Sequence, residues 1–409
     1  MKKLYLGIVL PFCLYSQDLN QLVDASMQNQ LIDSSKYNIE SIKSQYKSIQ
    51  NSYMPKLTIG ANYSNTNKET ASMPNSSFTS FANINYVVYD GEKKESTYKS
   101  FESSIKSANK NLESLKNNIT LQVINYYFNY QSLISSKIAK QKEIEQLNAQ
   151  YTRLVQFLEA GTTTSDEVQK IISRVENANV TLHEIELNIQ TILHNLEYLT
   201  ANEVIITDGS TIKSIQLKEE SLRADIKAME YDMKQLLANA RTTKSANMPM
   251  ISLDNTLNYY DFNYDNEMYQ NSAIDSQNIF KFNFSWKLYD FDSTNNAYKS
   301  AYKKYQALKS NYEYEKNKAS VDLKLTIKSY DIAKLKISSA KAGLKAANST
   351  YETIEQKYHN GLVDNVSYLE ALSEKYNAIS ILKSAKFDLE IKKANIIYHS
   401  GKNLQEYIK

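Results

Sequence analysis

The sequence contains few of the residues that interrupt helices or build reactive sites. Its 409 residues include 8 glycines, 4 prolines, 4 histidines and a single cysteine, Cys13. Scarcity of glycine and proline favours long uninterrupted helices, because these two residues have the lowest helix propensities. One thiol excludes an intramolecular disulfide and any metal site built from several cysteines.

Catalytic signatures are also missing from the sequence. It contains no P-loop, no HExxH motif, no dinucleotide-binding fingerprint and no nucleophile elbow. His183 and His194 stand 11 residues apart, which is roughly 16 Å along a helix, so they cannot bind one ion within a single chain. We therefore predict no catalytic residue, no cofactor and no metal site.

Neither sign of charge is in large excess. Lysine and arginine number 48 against 45 aspartates and glutamates, and the two signs are interleaved along the chain. This pattern predicts no nucleic-acid partner. Beyond the N-terminal segment no run of 18 apolar residues exists, so we predict no membrane-spanning helix. A membrane β-barrel is not excluded, because its strands give only a weak alternating pattern in sequence.

The N-terminus has the pattern of a secretory signal. Two lysines precede an apolar stretch at residues 4–15, which is too short to span a membrane as a helix. We expect residues 1–16 to be a signal peptide. Cys13 would be removed with it or acylated, and the bulky Pro11 and Phe12 favour removal.

A coiled-coil seam is the strongest pattern present. Apolar residues between Val168 and Leu199 are spaced alternately by three and four, which is the 3.5-residue period of helices packed along one face. Residues 144–158 show the same spacing, and a short segment containing Gly161 separates the two runs. This order predicts an antiparallel helical hairpin, with Thr164 and Glu167 forming a capping box at the start of the second helix.

The rest of the first half changes its period twice. A helix is predicted from Asp18 to Ser52, and Pro55 ends it because the residue before a proline avoids the helical region. Alternating patterns predict strands at about 56–66 and 78–90. The segment from Glu92 to Leu158 has no glycine or proline and would form a helix about 100 Å long. The hairpin tip is placed at 159–164.

The second half repeats this order. A polar linker at 201–213 separates a first structural repeat, residues 17–200, from a second, residues 214–409. The second repeat is predicted to hold a helix over Ile215–Ser245, strands at about 250–260 and 278–290, a long helix, and a tip at 359–365. Its last strand alternates five large apolar residues with polar ones: Phe280, Phe282, Phe284, Trp286 and Leu288.

Four strands per chain do not make a complete structure. They are too few to close a membrane barrel, and an open sheet leaves unpaired edges. We therefore predict a mainly α protein with a small β part, whose copies pool their strands into one barrel.

At this point the sequence resembles the TolC family of outer-membrane efflux and secretion channels. The resemblance is carried by the duplication, by Met-Pro before the first strand of each half, by Tyr-Asp after each second strand, and by the tips at Phe157–Gly161 and Tyr358–Val363. It implies a homotrimer with a 12-stranded β-barrel in outer-membrane lipid and an α-barrel in the periplasm. It also implies two partners, a periplasmic adaptor (a membrane fusion protein) and an inner-membrane pump, in a tripartite efflux or type I secretion system.

The resemblance further implies which residues meet the partners. The residues expected to contact the adaptor are the two tip glycines and their neighbours: Ala160, Gly161, Thr162, Gly361, Leu362 and Val363. Glu370 stands at one of two positions where family members carry an acid, and Asp364 is an additional acid three residues after Gly361. Both are expected to ring the inner aperture; the alternative is that each only interacts with the dipole at the start of its helix. Ser367 departs from the family pattern, because an acid is common at that position.

Two alternatives to the channel remain from the residues alone. The chain could be a soluble periplasmic coiled-coil adaptor or structural protein, although an adaptor should lack duplicated strands with an aromatic face. An enzyme is the other alternative, and the missing motifs argue against it.

Overall fold

The computed structural model describes residues 17–214 and 221–409 of the chain. The expected signal peptide, and Cys13 within it, lie outside the described residues. In the first half the elements are α1 (Leu19–Ser26), α2 (Gln30–Ser52), β1 (Lys56–Asn65), β2 (Ser76–Tyr89), α3 (Lys93–Glu159) and α4 (Ser165–Thr200). In the second half they are α5 (Ala224–Lys244), β3 (Met250–Asn263), α6 (Glu267–Gln270), β4 (Ser276–Ser285), α7 (Ser293–His359) and α8 (Asn365–His399).

The chain divides into two compact units, each assembled from both halves. The first, the helical unit, comprises residues up to Ser34 together with Leu112–Ala224 and Lys316–Lys409. The second, the sheet unit, comprises Ser35–Asn111 and Asp225–Glu315. Among the described residues no helix is both long and apolar enough to cross a membrane.

The helical hairpin of the first half forms as predicted. Leu147 of α3 is buried against Ile171, Val175 and Ala178 of α4, with Ile144 and Leu154 packed beside them. Lys137 of α3 also pairs with Glu186 of α4 at 3.0 Å. Alternate spacing of three and four keeps one stripe of each helix against the other, which confirms the antiparallel seam.

The predicted polar linker is in fact part of the main core of the helical unit. Val204 and Ile212 are 5% and 3% exposed and pack among buried residues of α1, α3, α4 and α8. The Tyr127 hydroxyl donates to the Thr207 carbonyl at 2.8 Å. Ile212 also pairs with Ile408, near the end of the chain. Polar composition concealed this packing, because only two or three side chains of the segment enter the core.

The helix predicted over Asp18–Ser52 is two helices. It breaks at Met27–Asn29, where the Asn29 side chain accepts from the Leu31 N–H at 2.8 Å and starts α2. The same side chain donates to the carbonyls of Tyr198 and Leu199 at 3.1 and 3.0 Å. A local cap combined with a tertiary contact at the end of α4 thus overrides the helical periodicity.

The helix predicted over Ile215–Ser245 begins later than expected. Residues 215–220 lie outside the described part of the chain, and α5 starts at Ala224. The Ser221 N–H donates to the Ser400 carbonyl at 3.2 Å, which holds this backbone against the end of α8.

The sheet unit contains one antiparallel sheet in the order β1-β2-β3-β4. The β2–β3 pair joins the two halves of the chain side by side, and β1 and β4 stand at the edges. Strand β4 is shorter than predicted and ends at Ser285, which pairs with Met250. Pro249 immediately precedes β3 and has no N–H to donate, so regular pairing stops there. Trp286 instead donates its ring N–H to the Asn247 carbonyl at 3.0 Å.

We predict that Gly401→Ala destabilises the protein more than Gly361→Ala. Both glycines have a left-handed backbone, with φ of 72° and 71°. That geometry alone costs about 1–2 kcal/mol for a residue with a Cβ. A Cβ at Gly401 would also collide with the Ser221 carbonyl oxygen, whereas one at Gly361 meets nothing within 4 Å. Thermal unfolding followed by circular dichroism would check this, and equal loss in both variants would contradict it.

Candidate channel surfaces

One face of the sheet is apolar and exposed. Directly paired residues share a face of a sheet, so the register aligns Leu57, Ile84 and Phe280 on the same side. Its large exposed members are Leu57, Ile59, Tyr63, Phe78, Ile84, Leu257, Tyr259, Phe280, Phe282 and Phe284. Phe280 is 67% exposed and Ile59 is 75% exposed. An apolar surface of this extent is suited to an apolar environment rather than to water.

The opposite face is mainly polar. It carries serine, threonine and asparagine together with Lys56, Asp254 and Lys281, and the side chains of Asn83 and Asn85 hydrogen-bond across the β2–β3 pair. Gly60 lies on this face directly opposite Phe81, whose ring occupies the space where a Cβ would be. Apolar-out and polar-in alternation is the pattern of strands in a membrane barrel.

Two sequence predictions for these faces need correction. Strict alternation along the predicted strand places Tyr89 on the same face as Phe81 and Val87, but a β-bulge between Val87 and Tyr89 puts Tyr89 on the apolar face opposite Ile251. Trp286 and Leu288 were placed on the β4 stripe, but they lie beyond its end at Ser285. They are nevertheless exposed, at 52% and 77%.

The Tyr-Asp motif after each second strand caps a long helix. The Asp90 carboxylate accepts from the Lys94 N–H at 2.9 Å, and Asp290 accepts from the Thr294 N–H at 3.0 Å. Each therefore satisfies one of the free N–H groups at the start of its helix. The repeated motif thus marks where β-structure gives way to a 67-residue helix in both halves.

The first tip, residues 160–164, has a Schellman turn. The Gly161 N–H donates to the Leu158 carbonyl at 3.0 Å, and the Thr162 N–H donates to the Phe157 carbonyl at 2.9 Å. Gly161 has φ of 72°, the left-handed geometry that a Schellman turn requires. Ala160, Gly161 and Thr162 are all exposed. The predicted capping box is wrong, because Thr164 stands at the N-cap of α4 but its side chain makes no capping hydrogen bond.

The second tip, residues 360–364, has the same turn and a stronger cap. The Leu362 N–H donates to the Lys357 carbonyl at 2.8 Å, and Gly361 has φ of 71°. Leu362 is 72% exposed, whereas Val363 is half-buried. Asp364 caps α8 by accepting from the Ser367 N–H at 2.8 Å.

Asp364 also forms an ion pair that the sequence did not indicate. Arg153 of α3 binds its carboxylate, and the same guanidinium lies 5.0 Å from the centre of the Phe157 ring. The Ser367 N–H, and then the charge of Arg153, lower the pKa of Asp364. The carboxylate is thus ionised at neutral pH, and its stabilising effect is lost only as acid brings the pH down through that lowered pKa. The only sequence feature that distinguishes Arg153 is its residue type, because the lysine-rich chain contains only four arginines.

Below the second tip, aromatic rings join α7 to α8. The rings of Tyr358 and Tyr368 stack at 4.9 Å, and the Tyr351 hydroxyl lies 3.2 Å from that of Tyr368. Tyr351 donates to Glu355 at 2.6 Å, which raises the pKa of the phenol, and the Lys375 ammonium lies 4.0 Å from its ring centre. Tyr351 and Tyr358 are seven residues apart, so they lie on the same side of α7, where both contact Tyr368 of α8.

Glu370 lies apart from Asp364. It is exposed on α8 and lines a polar cleft of about 470 Å³ with Glu374, Lys140 and Glu143. Lys140 and Glu143 pair with each other at 2.6 Å. Asp364 is not among the described residues that line this cleft. Within one chain, therefore, the two acids expected at the aperture occupy different surroundings.

Comparison with protein families identifies the chain. The family model described as Outer membrane efflux protein matches residues 22–202 and 218–396, one match in each half. The chain belongs to the outer membrane efflux protein family. A comparison with curated protein sequences found no match.

Solved structures support the fold of this outer membrane efflux protein. It is similar to the CmeC outer membrane channel of Campylobacter jejuni, with 19% identity over 94% of this chain and 86% of that chain and a TM-score of 0.77. The outer membrane protein VceC of Vibrio cholerae gives 15% identity, 94% and 96% coverage and a TM-score of 0.78. The open state of the MtrE channel of Neisseria gonorrhoeae gives 16% identity, 94% and 89% coverage and 0.74.

The family fixes the class of function. The protein is an outer-membrane efflux channel that extends into the periplasm, and the resemblance to the TolC family is confirmed. Members of the family act in tripartite systems and form trimers. The soluble adaptor is not favoured, because the family match spans both halves of the chain.

We predict that Phe280→Lys destabilises this efflux channel in lipid by roughly 2–4 kcal/mol, the usual cost of a lysine on the lipid face near the bilayer midplane. Phe280 lies near the middle of β4 on the exposed apolar face. The matched control is Asn283→Lys on the polar face of the same strand, which should cost little. Unfolding from lipid vesicles can be followed by fluorescence of Trp286, the single tryptophan. Equal losses in the two variants would refute the assignment of the faces.

Proposed function

We propose that three copies of this chain form one conduit for export. Their strands would join in a 12-stranded barrel in the outer membrane, and their long helices would form a tunnel through the periplasm. The inner end would dock on a periplasmic adaptor that connects it to an inner-membrane pump. The chain would serve efflux or protein secretion, with substrate choice made by the pump.

The observation that carries this proposal is the open sheet. Strands β1 and β4 each pair on one side only within the described chain, and the sheet exposes a mainly apolar face. Unpaired backbone groups are costly in a bilayer, where no water can satisfy them. Pairing of β4 with β1 of a neighbouring copy would satisfy both edges at once and leave the apolar face toward lipid.

The tips are the surfaces proposed to meet the adaptor. Ala160, Gly161 and Thr162 at the first tip and Gly361, Leu362 and Val363 at the second lie at the turns of the hairpins. Leu362 has the largest exposed apolar side chain among them. A leucine that a Schellman turn keeps exposed to solvent is suited to contact with a partner helix.

We predict that Leu362→Cys cross-links to an adaptor and that Leu187→Cys does not. Leu187 is the matched control, because it is a similarly exposed leucine, 68% against 72%, in the middle of α4. Cys13 is the chain's only other cysteine. Adducts formed in cells with a thiol-to-amine cross-linker would be identified by mass spectrometry. An adaptor that copurifies with the trimer yet links equally at both positions would contradict docking at this tip.

The aperture is the second part of the proposal. Three copies each of Asp364 and Glu370 would place carboxylates near the inner end of the tunnel, where like charges favour cations over anions. The Arg153 pair offsets part of the charge of Asp364, so Glu370 would carry more of the selectivity.

We predict that Asp364→Asn combined with Glu370→Gln weakens cation selectivity and divalent-cation block in planar bilayers. Asparagine caps a helix about as well as aspartate, so α8 should keep its start and the trimer its heat resistance. Glu184→Gln, at an exposed position along α4, is the control for loss of a surface carboxylate. Unchanged selectivity in stable trimers of the double variant would assign the aperture to other residues.

A further inference from the structure

Charged residues are rare in the sheet, and their positions are not scattered. The four strands contain only four of them: Lys56 in β1, Asp254 and Asp261 in β3, and Lys281 in β4. Asp261 pairs with Phe78 on the apolar side. The other three lie on the polar face.

These three form a single row across the sheet. Lys56 is paired with Asn85, Asn85 with Asp254, and Asp254 with Lys281, so one residue from each strand stands at the same level. Directly opposed residues project from the same face with Cβ atoms about 4.5–5.5 Å apart. All the ionised strand side chains of the polar face are thus concentrated in one band.

In this row the aspartate is hydrogen-bonded by two asparagines, whereas the two lysines are exposed. Asn85 and Asn83 each donate a side-chain N–H to one oxygen of the Asp254 carboxylate at 2.5 Å, and Asn83 also contacts the Thr256 hydroxyl at 2.7 Å. Asp254 is half-buried beneath these amides. Lys56 and Lys281 are exposed at the two edges of the sheet. The positive charges are therefore the ones that can reach a passing solute.

We propose that the row Lys56–Asn85–Asp254–Lys281 is a charge-selecting band in the lumen of the barrel and that it favours anionic solutes. It rests on the proposed trimer, which turns the polar face inward. Each chain contributes two lysines and one aspartate, so every copy adds one surplus positive charge at this level. Rings of charged side chains select ions by sign, and charges within about 10 Å of one another act together at ordinary salt.

This band differs from the proposed aperture in sign and in place in the chain. The aperture acids belong to the helical unit, whereas the band belongs entirely to the sheet unit. The two can therefore be altered independently. A structural role would predict a different result, because amides that only fix strand register would leave selectivity unchanged when a lysine is replaced.

The test measures the ratio of anion to cation permeability from the zero-current potential of purified trimers in planar bilayers under a potassium chloride gradient. Lys56→Gln with Lys281→Gln should shift the ratio toward cations. Asp254→Asn should shift it toward anions, because the amide leaves the lysines uncompensated. The matched control is Asp261→Asn, which removes a carboxylate of the same strand from the opposite face and should leave the ratio unchanged.

A second arm avoids variants that fail to assemble. Lys281→Cys channels are assembled first and then treated in the bilayer with a thiol reagent that adds either a positive or a negative group. The positive group should shift the ratio toward anions and the negative group toward cations, and the parent channel treated in the same way is the control.

Conducting trimers whose ratio does not respond in either arm would overturn the band while leaving the channel intact. A parent chain that forms neither a heat-resistant trimer nor a conducting pore would instead overturn the proposed trimer. The two failures are therefore distinguishable.

Discussion

The seam between α3 and α4 is the interaction on which the helical unit depends. An isolated helix of 67 residues gains little from its own hydrogen bonds in water, and lateral packing of an apolar stripe supplies most of its stability. Leu147, Ile171 and Val175 provide that stripe. Because the seam keeps the two helices antiparallel, it also determines that α3 must reverse direction at Gly161, and so where the first tip lies.

The two tips share a turn but not a cap. Both end a long helix with the same pair of Schellman hydrogen bonds around a left-handed glycine. Only the second starts its returning helix with a capping carboxylate, and only there does an ion pair reach across from α3 through Arg153. The two halves of the chain thus share the same turn, while single side chains give the two tips different local electrostatics.

The sheet uses alternation in a different way from the helices. Each strand divides its side chains between a mainly apolar face and a polar one, so in the proposed barrel one short segment would contact both lipid and lumen. The bulge at Val87–Tyr89 adds one more aromatic ring to the apolar side without lengthening the sheet. With so few charges on the strands, each position that carries one has a large effect on the field inside a barrel.

Sequence alone determined the features that rest on periodicity and on local turn chemistry. The 3.5-residue seam, the two glycine turns, the long helices without glycine or proline and the alternating strands were all predictable, because each depends on neighbours close in the chain. Tertiary structure decided the rest. The break at Asn29, the burial of Val204 and Ile212, and the Arg153–Asp364 pair join residues far apart in sequence. The alignment of Lys56, Asp254 and Lys281 in one row depends on register across three strand pairs, which no single strand encodes.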